Sequence, residues 1–169
     1  SATRVDASQL IEKGRENMAL HSNNFSNGVW NKISTSVTGG QSGYDGTNDA
    51  WLLSKSAANG RMQQAITTGG VQTFSIYAKA SSLNWLRLQM TTSNTYDMYY
   101  DLVNGSLGSS QINAPIDATI TSIGSGWYRC TITTNETLIN IRVYPADGDS
   151  NLSGTSGSIY IQDSQLESS

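Results

Sequence analysis

The chain has one cysteine, one histidine and two prolines among its 169 residues, and charged side chains make up only 14% of it. A single cysteine, Cys130, excludes an internal disulfide. A single histidine, His21, leaves little for nucleophilic catalysis, which needs a base beside the nucleophile. No apolar run approaches the roughly 20 residues that span a membrane. We therefore expect neither disulfides nor membrane insertion.

Positive charge is scarce as well. Ten lysines and arginines stand against thirteen aspartates and glutamates, which gives a formal net charge of −3. Counterion release from a nucleic-acid backbone cannot drive binding to such a surface as a whole, so the sequence predicts no nucleic-acid partner. Hydrophobic residues make up 37% of the chain, which together with the low net charge is not the pattern of disorder.

What the sequence does contain is short segments of alternating apolar and polar residues, separated by turns rich in glycine, asparagine and serine. Clear examples are residues 74–80, 85–91 and 127–133. This spacing, without a helical period of useful length, predicts an all-β fold, an antiparallel β-sandwich of the jelly-roll type. One strand is predicted over 30–38, and Asn104-Gly105 predicts a tight hairpin with positive φ angles.

The first 20 residues differ from the rest, because they hold six charged side chains and lack the alternation. We interpret residues 1–20 as a lead-in segment and residues 21–169 as a single β-sandwich domain. The chain starts at Ser1 without an initiator methionine, which favours a piece of a longer protein.

The sequence predicts no enzyme. Its acids in the segments 45–49 and 147–149 lie in predicted loops, whereas paired catalytic carboxylates must face each other at a fixed separation. Cys130 alternates with Tyr128 and Ile132, which predicts that all three face the core and that the thiol is a small buried hydrophobe.

Two segments are candidates for metal binding. The loop Asp147-Gly148-Asp149-Ser150-Asn151 resembles half of a calcium loop but lacks the bidentate glutamate, so a solvated acidic turn is favoured. In a jelly roll the first and last strands lie side by side, and this predicts that Asn24, Asp163 and Glu167 converge on a structural calcium ion.

Counting by two from the expected core positions gives a second set of side chains that are aromatic, cationic or amide-bearing. Aromatic rings stack on the C–H surfaces of sugars, while planar polar groups bond the hydroxyls, so the set is a candidate glycan-binding surface. Tyr44 and Trp51 form a second candidate cluster. Because jelly-roll strands divide between two sheets, we expect the set to be split over two outer faces. The alternative is an ordinary solvent-facing surface whose long stems cover apolar area. The candidate ligand residues are Tyr77, Lys79, Trp85, Arg87, Gln89, Tyr99, Arg129, Arg142 and Tyr144.

A series of local motifs resembles bacteriophage tail-fibre and other virion appendage proteins, and it spans nearly the whole chain in the right order. The motifs are Ser1-Ala2-Thr3-Arg4-Val5, Leu10-Ile11-Glu12-Lys13-Gly14-Arg15-Glu16-Asn17, Ser22-Asn23-Asn24-Phe25-Ser26 with Trp30 after it, Tyr44-Asp45-Gly46-Thr47, Thr73-Phe74-Ser75-Ile76-Tyr77-Ala78-Lys79-Ala80, Asp101-Leu102-Val103-Asn104-Gly105, Gly124-Ser125-Gly126-Trp127-Tyr128-Arg129-Cys130, Tyr144-Pro145-Ala146-Asp147 and Ser158-Ile159-Tyr160-Ile161-Gln162-Asp163-Ser164-Gln165-Leu166-Glu167.

The resemblance implies a jelly roll similar to carbohydrate-binding modules, exposed on a virion as part of a tail fibre, head fibre or capsid decoration. It implies a non-catalytic role in host adhesion, with bacterial-surface or environmental polysaccharide, other virion subunits and further copies of the chain as partners. Two alternatives stay open: a purely structural domain for virion assembly or decoration, and an accessory carbohydrate-binding module of a polysaccharide-degrading enzyme.

Overall fold

Alternation along the strands decides this fold, because it gives each strand one apolar and one polar face. The computed structural model describes residues 3–5, 11–13 and 16–168, and in these ranges the regular elements are all strands. They are β1 (Thr3–Val5), β2 (Ile11–Lys13), β3 (Asn31–Ile33), β4 (Thr35–Gln41), β5 (Ala50–Lys55), β6 (Arg61–Thr68), β7 (Val71–Ala80), β8 (Trp85–Thr91), β9 (Thr95–Asp101), β10 (Ser106–Leu107), β11 (Asp117–Gly124), β12 (Trp127–Asn135), β13 (Leu138–Ala146) and β14 (Gly157–Ser168).

Twelve of these strands form two six-stranded antiparallel sheets that pack face to face. The front sheet has the order β10-β9-β8-β13-β6-β3, and the back sheet has the order β11-β12-β7-β14-β5-β4. β1 and β2 pair with each other as a separate hairpin. The predicted antiparallel β-sandwich of the jelly-roll type is thereby confirmed.

Apolar side chains at alternate positions fill the space between the sheets. Leu86, Leu88 and Met90 point inward from β8, while Cys130 and Ile132 do so from β12, and none of the five is exposed. Removing an aliphatic side chain of this size from water stabilises the fold by about 1.5–3 kcal/mol. Burial also raises the pKa of the Cys130 thiol. Its predicted role as a small buried hydrophobe is confirmed.

The predicted strand over 30–38 is wrong, because the chain changes sheets in its middle. β3 belongs to the front sheet and β4 to the back sheet. Between them Ser34 has a φ of 51°, in the left-handed region that non-glycine residues seldom adopt. Burial alternates along β4 but not along β3, so the predicted single strand joined two segments of different pattern.

The turn between β9 and β10 also differs from the prediction. It spans residues 102–105, in which Gly105 has a φ of 68° while Asn104 has no positive φ. The Asp101 carboxylate accepts hydrogen bonds from the backbone N–H groups of Val103 at 2.9 Å and Asn104 at 3.1 Å. An aspartate-capped four-residue turn replaces the predicted tight hairpin.

The segment before the first sandwich strand runs along the last strand. The Asn17 side chain accepts a hydrogen bond from the Leu166 N–H and donates one to the Ser164 carbonyl, both at 3.0 Å. The Ser164 N–H donates to the Ser22 carbonyl at 2.7 Å. Ala19 is 6% exposed and belongs to the main core. Residues 17–22 therefore contact the sandwich directly.

The rest of the predicted lead-in lies largely outside the described residues, and the division of the chain after residue 20 stays a prediction. Among the residues that the structure describes, no helix has the length and apolar character that crossing a membrane requires.

Candidate functional site

The nine candidate ligand residues are divided between the outer faces of the two sheets. Six of them lie on the front sheet, and they are Trp85, Arg87, Gln89, Tyr99, Arg142 and Tyr144. The other three lie on the back sheet, and they are Tyr77, Lys79 and Arg129. Their role as ligand contacts stays a prediction, but the front sheet gathers the larger group on three adjacent strands.

Arg87 lies at the centre of the front face, between two tyrosine rings. Its guanidinium carbon is 4.7 Å from the Tyr144 ring centroid and 5.6 Å from the Tyr99 ring centroid. Its Nε donates to the Asp97 carboxylate at 3.0 Å. These four side chains are 0–4% exposed. The cation–π contacts and the ion pair therefore fix a buried layer on the outer face of the sheet.

A loop covers this layer, and we call residues 108–116 the strap. The Asp97 carboxylate accepts hydrogen bonds from the backbone N–H groups of Gln111 at 3.1 Å and Ile112 at 3.0 Å. The Tyr99 hydroxyl donates to the Gln111 side chain at 2.8 Å. Burial raises the pKa of Tyr99 to about 12, so this hydroxyl keeps its proton. The strap therefore bonds directly to Asp97 and Tyr99, two buried side chains that point away from the core.

The open part of the front face lies beside the strap, over β6 and β13. Four partly exposed side chains lie there, and we call Arg61, Gln63, Asn140 and Arg142 the polar strip. The Arg61 Nε donates to Gln63 Oε1 at 2.9 Å, and the Arg142 Nε donates to Asn140 Oδ1 at 3.2 Å. Gln63 and Arg142 are direct partners in the register of the two strands. The strip therefore presents four planar hydrogen-bonding groups close together.

Three members of the polar strip, Arg61, Gln63 and Asn140, were missed by the sequence prediction. Their alternation with Met62 and Ile141 is readable in the sequence and places them on a polar face. What the sequence does not show is that β6 and β13 are neighbours, since they are separated by about 70 residues and paired by a crossover.

The outer face of the back sheet carries a different cluster. The Tyr44 ring stacks on the Tyr77 ring at 3.9 Å between centroids, and the Trp127 ring meets Tyr44 edge-on at 6.1 Å. The Tyr44 hydroxyl donates to the Asp163 carboxylate at 2.7 Å. Burial and this hydrogen bond raise the pKa of Tyr44. Tyr44 thus covers one face of Tyr77, and Trp127 is only 2% exposed.

Trp51, predicted to form a cluster with Tyr44, packs against the core instead. Its ring lies edge-on to Phe25 at 6.1 Å, and its Nε1 donates to the Asn23 carbonyl at 3.0 Å.

The predicted calcium ligands each have a protein partner. Asn24 accepts a hydrogen bond from the Ser26 hydroxyl at 2.8 Å, Asp163 accepts one from Tyr44, and Glu167 accepts one from Gln165. Over residues 16–168, no group of three or more histidine, cysteine, aspartate or glutamate side chains is arranged to hold a metal ion. Their oxygen donors suit calcium. Calcium binding by Asn24, Asp163 and Glu167 stays a prediction, which a calorimetric titration with calcium chloride would decide.

The acidic loop before β14 has a structural explanation. The Asp147 carboxylate forms a salt bridge with Lys55 at 2.5 Å and accepts a hydrogen bond from the Gly154 N–H at 2.9 Å. The Asp149 carboxylate accepts hydrogen bonds from the N–H and the hydroxyl of Ser109, at 2.8 and 2.9 Å. Both carboxylates thus fix loops, and Asp149 helps to hold the strap in place.

The fold and the front face together define a jelly-roll β-sandwich whose front sheet carries a buried aromatic layer beside a partly exposed polar strip. No family model matches the chain, and no curated protein matches it significantly. Solved structures of similar fold do exist.

One is the enzymatically active domain of tailspike protein 4 of bacteriophage CBA120, with a TM-score of 0.47 and 16% identity over 89% of this chain and 21% of that one. The chain thus spans about a fifth of that protein's length. A second is the module TmCBM61 in complex with β-1,4-galactotriose, with a TM-score of 0.44 and 12% identity over 89% and 97% of the two chains. A third is a carbohydrate-binding module of Cellvibrio mixtus lichenase 5A in complex with cellotriose, with a TM-score of 0.40 and 6% identity over 91% and 99%. At these identities the likeness concerns the fold alone.

Proposed function

We propose that this chain is a non-catalytic glycan-binding domain of a phage virion protein, exposed on the particle as part of a fibre or capsid decoration and used in host adhesion. The observation that supports it best is the polar strip beside the buried layer of Arg87, Tyr99 and Tyr144. Among the described residues, the lone histidine, His21, is exposed and only its backbone carbonyl forms hydrogen bonds. The polar strip has hydrogen-bonding groups that suit the binding of a ligand.

The geometry of the front face supports sugar binding. The amides and guanidiniums of the polar strip present their planes and edges to solvent, where they are able to bond vicinal hydroxyls. Trp85, partly exposed at the end of β8, adds an apolar ring to the same face, where it packs against the cluster of Tyr99, Tyr144, Ala146 and Leu152. The Tyr144 hydroxyl of the adjoining buried layer accepts a hydrogen bond from Arg142 at 3.5 Å, and ordering of a side chain before a ligand arrives lowers the entropic cost of binding. Weak single sites gain avidity when many copies are displayed on one particle.

Replacing Trp85, the partly exposed aromatic residue of the front face, tests this proposal. We expect Trp85→Ala to weaken glycan binding at least about tenfold, because aromatic anchors dominate binding energy. A glycan array of host polysaccharides, followed by calorimetric titration of the best ligand, measures the effect. Tyr160→Ala is the matched control, since Tyr160 is a partly exposed aromatic residue on the back sheet.

Circular dichroism spectra and melting curves show whether both variants are folded. Absence of binding to every polysaccharide on the array, or equal affinity of Trp85→Ala and the wild type, contradicts the proposal.

A specific observation also favours the second candidate, an assembly domain. In the described part of the chain, five of the seven large apolar side chains that are exposed lie between residues 103 and 123, and they are Val103, Leu107, Ile112, Ile116 and Ile123. β11, within this region, is an edge strand whose backbone pairs on one side only. It lacks proline, lysine and arginine, the residues that usually protect an edge. We infer that a second copy of the chain pairs with β11 in an antiparallel, two-fold arrangement.

Sedimentation velocity distinguishes this candidate. We expect the wild type to form dimers and Ile116→Lys, at a position that is 63% exposed, to be monomeric, because a lysine at the edge would be buried without a partner. Leu20→Lys, at a position that is 57% exposed outside this region, is expected to leave the dimer intact. A monomeric wild type, or an Ile116→Lys variant that still forms dimers, would rule out the β11 interface.

A further inference from the structure

We propose that the ligand of the front face is an acidic polysaccharide, whose carboxylate groups are bound by Arg61 and Arg142. This inference rests on the proposed glycan-binding function and specifies the class of ligand.

The two arginines are neighbours on the open part of the face. Arg142 on β13 lies opposite Gln63 on β6, and Arg61 precedes Gln63 by two residues on the same strand. Arg61 and Arg142 are therefore diagonal neighbours, with a separation of about 7–8 Å between backbones. Both side chains are partly exposed. A ligand that lies across β6 and β13 reaches both guanidinium groups.

Neutral groups orient both guanidiniums and leave most of their donors free. Arg61 donates from Nε to Gln63 and from Nη1 to the Asn59 carbonyl at 3.3 Å. Arg142 donates from Nε to Asn140 and from Nη1 to the Tyr144 hydroxyl at 3.5 Å. A guanidinium has five N–H donors. The side chains thus hold each plane in place while leaving its charge and its outer edge available.

Within the part of the chain that the structure describes, no carboxylate neutralises this pair. Over the described residues, neither Arg61 nor Arg142 forms an ion pair, in contrast to Arg87, which is paired with Asp97. The Asp97 carboxylate is fully occupied by Arg87 and the strap, while the Asp101 carboxylate closes the turn after β9. Positive charge is therefore concentrated on this face of a chain whose net charge is −3.

The back face differs in this respect. Lys79 and Arg129 lie there, but the same face also presents Asp163, bonded to Tyr44, and Asp45, bonded to Gln162. Among the described residues, the two carboxylates of the back face are bonded by neutral groups alone, whereas on the front face the Asp97 carboxylate is paired with Arg87.

An oriented guanidinium matches a carboxylate with two parallel N–H···O bonds, which are charge-assisted and stronger than bonds to a neutral hydroxyl. Sugar carboxylates occur in polysaccharides that contain uronic acids. A neutral glycan would satisfy the amides of the strip but leave two partly buried charges without a counter-ion. The pair of arginines therefore favours an acidic ligand over a neutral one.

The test uses polysaccharides that contain uronic acids, the carboxyl-reduced form of each, and a set of neutral polysaccharides. We expect the full chain to bind members of the acidic set, and carboxyl reduction to weaken that binding at least about tenfold. The double variant Arg61→Gln/Arg142→Gln is expected to lose at least about tenfold for the acidic form and little for the reduced form. The matched double variant Lys79→Gln/Arg129→Gln removes the same charge from the candidate residues of the back sheet, and a loss confined to that variant would place the ligand there and contradict the front-face site.

The outcomes separate this inference from the proposed function. Absence of binding to any polysaccharide contradicts the glycan-binding function itself. Binding that is unchanged by carboxyl reduction, or by loss of Arg61 and Arg142, contradicts the acidic ligand while the function stands. Equal losses in both double variants show attraction by overall charge and also contradict it. If the glutamine variant fails to fold, Arg61→Lys/Arg142→Lys replaces it, because lysine keeps the charge but loses the bidentate fork. If the lysine variant binds the acidic polysaccharide as the wild type does, bidentate binding of carboxylates by Arg61 and Arg142 is contradicted.

Discussion

Asp97→Ala is expected to lower the free energy of unfolding by about 3–5 kcal/mol, because it leaves the Arg87 guanidinium buried without its counter-ion. Asp97 is 0% exposed and Arg87 is 4% exposed. The same substitution removes the acceptor for two backbone N–H groups of the strap, at Gln111 and Ile112. Urea denaturation followed by tryptophan fluorescence measures the loss as a shift in midpoint at constant slope.

A double variant separates the ion pair from its surroundings. We expect Asp97→Leu/Arg87→Met to recover much of the stability that Asp97→Ala loses, since replacing a buried ion pair by apolar residues is often close to neutral. Asp117→Ala removes an exposed carboxylate and is expected to change stability by less than about 0.5 kcal/mol. A loss below about 1 kcal/mol for Asp97→Ala would show that the pair and the strap contribute little to the fold.

The second large effect is expected in the opposite direction, at a buried glutamine. Gln72, on β7, is 0% exposed, and within the described part of the chain neither its Oε1 nor its Nε2 has a hydrogen-bond partner. A buried polar group without a partner costs about 1–3 kcal/mol. Gln72→Met keeps the length of the side chain and removes both polar atoms, so we expect it to stabilise the protein by about that amount.

Gln64 supplies the matched comparison. It is also 0% exposed, but its Oε1 accepts the Leu20 N–H at 2.8 Å and its Nε2 donates to the Leu20 carbonyl at 2.9 Å. Gln64→Met is therefore expected to destabilise the protein by about 1–3 kcal/mol, since two hydrogen bonds are lost. Calorimetric melting of both variants gives the comparison. If Gln72→Met destabilises the protein as Gln64→Met does, the amide of Gln72 contributes hydrogen bonds, for example through a buried water.

Much of the fold was predictable from local pattern. The alternation in residues 85–91 placed Leu86, Leu88 and Met90 in the core, and the strand has those bounds in the structure. Period-two alternation works here because each strand has one buried and one outward face. The same reasoning failed over residues 30–38, where it predicts one strand although the chain changes sheets at Ser34, between β3 and the alternating β4.

The candidate site was predictable only in part, because alternation along a strand gives the direction of a side chain and not what covers it. Arg87 and Tyr144 point outward as predicted, yet both are buried, and the strap bonds Asp97, the counter-ion of Arg87. Arg61 was not expected beside Arg142, since their strands are distant in sequence.

The sequence by itself determined the class of fold, the inward or outward direction of most strand residues, the buried state of Cys130 and the scarcity of catalytic groups. These are local properties, fixed by the type of residue and a period of two. The tertiary structure decided which strands are neighbours, which outward residues the strap covers, and which cations lack an acid. These depend on contacts between segments far apart in the chain, which local alternation does not record.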